Sequence, residues 1–596
     1  FARGMLEKGS SLPRAKLGIR GGVLAVALLL IVAILTPGCS KESRRDRYIE
    51  RADRYYDAGD YPKATIEYMN ALKLDSQNLR CAQRLGLIAF AQGQLGRAHA
   101  FLSHYHTQKP GDIEVMTRLL RIYREARDFT RGGTMAADIL KLEPANAEAL
   151  LTLADFAATP EQNADLNARI EKLKQTGSNP AVVQLAIGLG QLKRREFEQG
   201  EASLKQAATL DPKLPFVHAA LGNYFAMRGD IESAFKHFEL QLEADPKDLF
   251  ARVRVAEFRA RTGNVSEAKT ELEMITAKHP EFVPAWNQLG AIAFAERRFE
   301  DAESHASKVL AIEPVDFNAL LLKARLSMAT TNIAQAILQF QQLARLNPKV
   351  PQIPLELARA YLATNDTIAA LSALDQSLAI NPNLADALFL KAQVTFRQGD
   401  LTATAALLDR LLQQNPKLVP ARLALAEVHR ARGDQNEALK IYAELIQAFP
   451  TNAYPRYVQG MAYFEQAKPS EAEASFRKAL ELDPKHLPSL LQLAEIQLQQ
   501  RRLDDADRTW KVMDELAPKD GTVSLLRARI QLARGDSAGA ETSLREAIDL
   551  NPSLSSAYDL LSKIYIASNR TSEALANFDA ALARFPDFVT AFAWRE

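Results

Sequence analysis

The sequence predicts an all-α protein built as a solenoid of repeated helical hairpins. Three observations carry that prediction. Prolines recur every 34 residues, small and aromatic residues recur at fixed distances before each proline, and period-two runs of Val, Ile and Thr are scarce.

The proline ladder runs from Pro212 to Pro586 in steps of 34 and continues backwards through Pro144 and Pro110. Ser178 and Ser76 stand where the register would place two more prolines, which makes sixteen units between about residue 45 and Pro586. Twelve residues before most of these posts lies a small residue, as at Ala64, Ala234, Ala302, Ala438 and Ala540. An aromatic often follows four residues later, as at Tyr68, Phe238, Phe340, Tyr442, Phe476, Trp510 and Phe578. A second small residue lies 24 before the post, as at Gly86, Gly188, Gly222, Gly290 and Gly460.

These spacings define two helices per unit. The turn between them is often Gly-Asp, as at Gly59-Asp60, Gly229-Asp230, Gly399-Asp400, Gly433-Asp434 and Gly535-Asp536. Glycine takes the left-handed conformation that ends a helix, and the aspartate then meets the positive end of the next one. The two small residues let the helix backbones approach, the aromatic fills the space beside them, and proline ends the second helix because it lacks the N–H the next turn needs.

This pattern resembles the tetratricopeptide repeat (TPR). "WNQLGAIAF" at 286–294 carries the Trp-x-x-Leu-Gly opening, and "GMAYFEQAKPSEAEASFRKALELDP" at 460–484 carries nearly the whole pattern. The resemblance covers residues 45–586: an array over 45–212, partly degenerate near 145–180, and a regular array over 213–586. One unit cannot bury its own apolar face, so neighbours must stack. The resemblance implies a right-handed superhelix of about sixteen repeats. The departures cluster in 111–212, where Leu166 occupies a small-residue position, no glycine turn precedes it and Pro180 comes two places late. A distorted repeat, and a bend in the solenoid, are expected there. "DFVTAFAWRE" at 587–596 reads as the start of a further, truncated repeat.

The first 38 residues read differently. Lys8, Arg14, Lys16 and Arg20 precede an unbroken apolar run at 23–35, then Thr36, Pro37, Gly38 and Cys39. This is the three-part order of a secretory signal. Thirteen apolar residues span roughly 20 Å as a helix, shorter than the about 20 residues a membrane span needs. The segment resembles a bacterial lipoprotein signal, with Gly38-Cys39 in the lipobox positions and Thr36-Pro37 departing from it. The resemblance implies acylation of Cys39, a membrane partner through that lipid, and a short linker over 39–44. A plain signal peptide or anchor with an incidental cysteine is the other reading. Ser40, where an aspartate would favour inner-membrane retention, leans the expectation toward the outer membrane of the bacterial envelope. An acylated Cys39 leaves Cys81 as a free, packed thiol.

Chemistry is sparse. Lys plus Arg total 74 against 72 for Asp plus Glu, so no global field draws nucleic acid or anionic substrates. No P-loop or His-Glu-x-x-His motif occurs, and Gly188-Leu189-Gly190 lies inside a helical pattern as packing glycine. His99, His104 and His106 have offsets that scatter them around a helix, so no metal site is expected. "SKESRRDR" at 40–47 reads as a solvated linker or a contact to lipid head groups. No catalytic residue, cofactor, nucleic acid or small-molecule substrate is expected.

What remains is a surface. By the resemblance, the first helix of each unit lines a concave face, with exposed positions 27 and 23 before each post. The first series includes Leu151, Leu185, Val253, Leu321, Leu355, Phe389, Leu423, Tyr457 and Leu491. The second includes Asn223, Glu257, Arg325, Arg359, Gln393, Glu427 and Glu495. Asn223, Glu257, Arg325, Arg359, Phe389, Gln393, Glu427 and Tyr457 are the groove candidates. Such a stripe suits an extended peptide or partner helix, or else its apolar members are stacking core; periodicity alone does not separate the two. The start "GCSKESRRDRYIERADRYYDAGDYPKATIEYMNALKLDSQN" also resembles the TPR lipoproteins associated with exosortase/PEP-CTERM and exopolysaccharide systems. A non-catalytic envelope scaffold is therefore expected. The alternatives are the TPR part of a truncated enzyme, such as a glycosyltransferase, and a cytosolic adaptor.

Overall fold

The structure is a computed structural model that describes residues 40–157, 159–175 and 179–584. Among the described residues there are thirty-two helices and no strand. The helices pair in sequence into sixteen hairpins, from Lys41–Asp57 with Tyr61–Leu74 to Ser555–Ala567 with Thr571–Arg584. The leader at 1–38, Cys39, Pro586 and the segment 587–596 lie outside the described residues. The linker expected over 39–44 is shorter than read: a helix begins at Lys41, because Ser40 caps it by accepting from the Ser43 N–H at 3.0 Å.

The hairpin follows from its residues. Gly229 ends the Pro215–Arg228 helix at φ 78°, in the left-handed region. Asp230 then caps the next helix by accepting from the Ser233 N–H at 3.1 Å, and Asp400 and Asp536 do the same at 2.9 Å. Ala64, Ala234, Ala302, Ala370, Ala438 and Ala540 are fully buried where the two helices cross. Opposite them the glycine of the first helix faces the side chain eight before the post. A Cβ on Gly460 would sit 2.6 Å from the Phe476 ring. Gly188 is likewise a packing residue, facing Leu204 and the Gly200 carbonyl.

One local signal went unused at the sequence level. The residue before half of the posts is Asp or Asn. Asp211, Asn381, Asp483 and Asn551 each accept from the N–H two residues on, at 3.0–3.1 Å. These Asx turns reverse the chain between hairpins.

The chain divides into two compact units, one ending at Leu346 and one beginning at Asn347. In the N-terminal unit a single core cluster runs from Leu87 to Leu221. Its fourth hairpin is irregular. The first helix is short, Ala147–Phe156, and the second, Pro160–Gln175, packs more closely on the following Pro180–Lys193 helix than on its own partner. Leu166 explains the displacement, since a buried leucine where other hairpins bury alanine keeps the two backbones apart. A cleft of about 520 Å³ opens there, lined by Phe129, Thr134, Leu153, Phe156, Gln162 and Asp165 among others.

Distant hairpins of this unit come into contact. The Phe90 and Phe250 rings lie 5.2 Å apart, and Phe250 meets Phe282 edge-on at 5.2 Å. The Val283 N–H donates to the Gln92 carbonyl at 3.3 Å. Arg254 pairs with Glu125 at 2.8 Å, and Arg121 with Asp248 at 3.5 Å. Glu313, nearly fully buried, accepts from the Arg97 N–H at 3.2 Å, 216 residues away in sequence.

The C-terminal unit holds seven hairpins, from Gln352–Ala363 onward. Its cores are smaller clusters at successive hairpin contacts, such as Leu388 with Leu408 and Val428, and Ala438 with Tyr442 and Val458.

Candidate functional site

First helices of successive hairpins in the N-terminal unit pack directly on one another, for example Leu79–Ala91 on Ile113–Glu125 and Val283–Ala295 on Phe317–Ala329. They touch more closely than second helices do, so they form the inner side of the curve. Positions 27 and 23 before each post belong to these first helices.

In the N-terminal unit most of the apolar series is core, with Leu321 half-buried. Leu151, Leu185 and Val253 are buried, and the inner faces of hairpins two and three meet those of hairpins seven and eight. Of the polar candidates there, Asn223 and Arg325 are exposed and Glu257 is half-buried. Leu151 and Leu185 lie in the core cluster that runs from Leu87 to Leu221, and Val253 lies in the one around Phe282.

In the C-terminal unit the same positions are more open. Leu355 and Leu525 are buried, whereas Phe389, Leu423, Tyr457 and Leu491 are half-buried. Arg359 and Gln393 are exposed on consecutive first helices, Gln352–Ala363 and Ala385–Arg397. Arg359 pairs with Glu356 one turn earlier at 3.9 Å. Phe389 and Gln393 stand one turn apart on the same helix.

Glu427 is held from two sides. It accepts from the Tyr442 hydroxyl at 2.7 Å and from Arg430 at 2.6 Å, and Arg430 reaches on to Glu465 in the next hairpin. Burial first, then the Glu427 charge, holds the Tyr442 hydroxyl well above its ordinary range. Glu495 and Arg529, 34 residues apart in sequence, pair in the same manner between successive hairpins. Tyr457 packs edge-on to His486 at 5.1 Å and lies 6.0 Å from Phe476. Beside it stands Tyr454, also 6.0 Å away and 47% exposed. The sequence reading passed over Tyr454, although it sits one turn before Tyr457 on the same helix.

The wall is thus a row of half-exposed apolar side chains with Arg359 and Gln393 exposed at one end, and charge pairs tied down beyond. The tied charges fix the spacing of the first helices. The exposed groups are hydrogen-bonding and aromatic ones that suit a polypeptide.

Among the described residues no group of three His, Cys, Asp or Glu side chains converges as metal ligands. His99 packs edge-on to Tyr123 at 5.6 Å. Cys81 is free and buried, and burial pushes its thiol up to about 12. No helix among the described residues is long and apolar enough to cross a membrane.

Comparison with known families matches the description "Tetratricopeptide repeat" at residues 225–291, 395–462 and 463–530, and again at 321–385, 355–418 and 525–587. The chain belongs to the tetratricopeptide repeat family. TPR arrays are protein–protein interaction scaffolds. The chain is 24% identical over 255 residues to Superkiller complex protein 3 of Homo sapiens, covering 39% of this chain and 15% of that protein. It is 24% identical over 281 residues to Tetratricopeptide repeat protein 37 of Xenopus laevis, covering 46% and 14%. The TPR chain therefore spans about a seventh of the curated relatives it matches. Among solved structures it is similar to a tetratricopeptide repeat protein of Parabacteroides merdae, with 18% identity, TM-score 0.34 and coverage of 48% and 98%. It is also similar to the Cut9–Hcn1 hetero-tetramer of APC/C, with 16% identity, TM-score 0.37 and coverage of 83% and 98%.

Proposed function

We propose that this TPR chain is a non-catalytic scaffold that holds an extended polypeptide against the first helices of its C-terminal unit. One observation carries the reading: Phe389, Gln393, Tyr454, Tyr457 and Arg359 stand partly or fully exposed on that wall, whereas Leu151, Leu185 and Val253, at the equivalent apolar positions of the N-terminal unit, are buried. Half-exposed aromatics offer apolar area at small entropic cost, and Arg359 and Gln393 offer hydrogen bonds that set direction along a peptide. A photo-crosslinking residue at Gln393 tests it in cells. Capture of discrete partner proteins from Gln393, with none from the outward-facing Ile368, supports the reading. Equal capture from both positions, or from neither, removes it.

The sequence before Ser40 supports a second element. We infer that Cys39 carries a lipid that fixes the scaffold to the bacterial envelope, at the outer membrane and facing periplasm or exterior, in protein sorting or exopolysaccharide export. The three-part leader and the N-terminal likeness to exosortase/PEP-CTERM-associated lipoproteins support it. Anchoring would raise the effective concentration of bound partners at one surface. Metabolic labelling with an alkyne fatty acid gives the test. Label lost in Cys39→Ala supports the anchor, and label absent from the parent chain defeats it.

A further inference from the structure

We propose that His218 and His237, on the two helices of the sixth hairpin, form a two-histidine site for an imidazole-binding divalent transition-metal ion of the Zn²⁺ kind. Their Nδ1 atoms lie 3.3 Å apart.

The same seat in the next two hairpins shows what the fold by itself requires. Arg252 and Glu271 occupy it in the seventh hairpin, and Trp286 and His305 in the eighth. Arg252 and Glu271 form an ion pair at 2.6 Å. Trp286 donates to the Pro280 carbonyl at 2.7 Å and packs beside His305 at 5.5 Å. Either one ion pair or one N–H on the preceding post thus serves the fold at this seat. The sixth hairpin already has that N–H, since His218 Nε2 lies 3.1 Å from the Pro212 carbonyl. What it adds is a second imidazole nitrogen facing the first.

The pair fits a metal in distance, tautomer and setting. An ion about 2.0–2.1 Å from each of two nitrogens 3.3 Å apart sees them at about 107°, close to the tetrahedral angle. The Pro212 carbonyl only accepts, so it keeps the His218 proton on Nε2 and leaves Nδ1 as a lone pair. Metal-bound imidazoles make that kind of outer hydrogen bond. His218 is 4% exposed, so little water competes there, and the half-buried His237 gives the ion a way in. Phe225 stacks on His237 at 5.5 Å and screens one side of it. Lys205 and Lys236 act against a cation at His237, whereas Glu201 acts for it and also holds Lys205 at 2.6 Å.

Without the ion, His237 donates its Nδ1–H to His218. On binding, that proton moves to His237 Nε2 through solvent, so the ring stays neutral and no proton is released. The two rings face each other nearly end to end, with centroids 5.6 Å apart. Binding therefore tilts the His237 ring until both lone pairs meet off the line between the nitrogens. The remaining coordination positions are open to water.

Titration of the full chain with Zn²⁺ against a chromophoric chelator tests the site. One Zn²⁺ per chain should bind, and its addition should slow hydrogen exchange in the Pro215–Arg228 and Ile231–Ala244 helices. His237→Gln should weaken binding at least tenfold and remove that slowing. His305→Gln, at the matching place in the eighth hairpin, should change neither. The exchange measurement on the parent chain needs no substitution, so a variant that fails to fold does not hide the answer. Absence of bound Zn²⁺, binding that slows no amide in those two helices, or an equal loss in His237→Gln and His305→Gln overturns the proposal.

Discussion

Tyr442 donates a hydrogen bond of 2.7 Å to Glu427, and Tyr68 donates one of 2.6 Å to Asp53. In both cases a fully buried tyrosine eight before the post meets a carboxylate 23 before it. The pair clamps the second helix of a hairpin to the first. It also takes Glu427 out of the set of groups free to meet a partner.

Tyr442→Phe should therefore cost about 1 kcal/mol of local stability, the net worth of a buried hydrogen bond. Glu427→Leu should cost more, about 1–3 kcal/mol, because it strands the buried hydroxyl. Exchange at amides of the Gln435–Ala448 helix measures both, and the double variant Tyr442→Phe/Glu427→Leu should recover part of the loss. Strictly additive losses would mean the hydrogen bond contributes nothing.

Gly460 faces Phe476 so closely that any Cβ must displace the ring. Gly460→Val should destabilise its hairpin by about 1–3 kcal/mol through overpacking. Gly111, with open space around it, should tolerate Gly111→Ala with little change. Urea unfolding followed by tyrosine fluorescence compares them. Equal effects at the two sites would contradict the packing account.

Cys81 lies in the first core cluster with no exposed surface, and burial holds its thiol near 12. At neutral pH it is a thiol and not a thiolate. A thiol reagent should leave it unmodified in the folded chain and label it fully in guanidinium. Rapid labelling under native conditions would show that the first hairpins open readily.

His218 and His237 meet Nδ1 to Nδ1 at 3.3 Å. Nε2 of His218 lies 3.1 Å from the Pro212 carbonyl, which only accepts, so His218 donates there and His237 donates to His218. Burial, then the neighbouring His218, lowers the pKa of His237 to about 4 from an ordinary 6.5. The unfolded chain thus binds the proton more readily, and stability contributed above about 6.5 is lost as pH falls toward 4. Exchange in the Ile231–Ala244 helix should rise over that interval, after correction for intrinsic rates, and His237→Gln should flatten the rise. An unchanged profile in the variant would assign the effect elsewhere.

The sequence alone determined the hairpin. Its length, its turn at Gly229-Asp230, its buried Ala234 and Ala438, and its glycine seat at Gly460 all rest on contacts within one repeat or between neighbours, where spacing along the chain is spacing in space. Which candidate positions are covered was not legible. Leu151 and Phe389 occupy the same place in the repeat, yet one is core and the other half-open. Only the tertiary structure decided that: Leu151 is enclosed in a core cluster that runs from Leu87 to Leu221, and Phe389 is only partly covered by its neighbours. Small rotations at each hairpin add up over many repeats, and no single period records their sum.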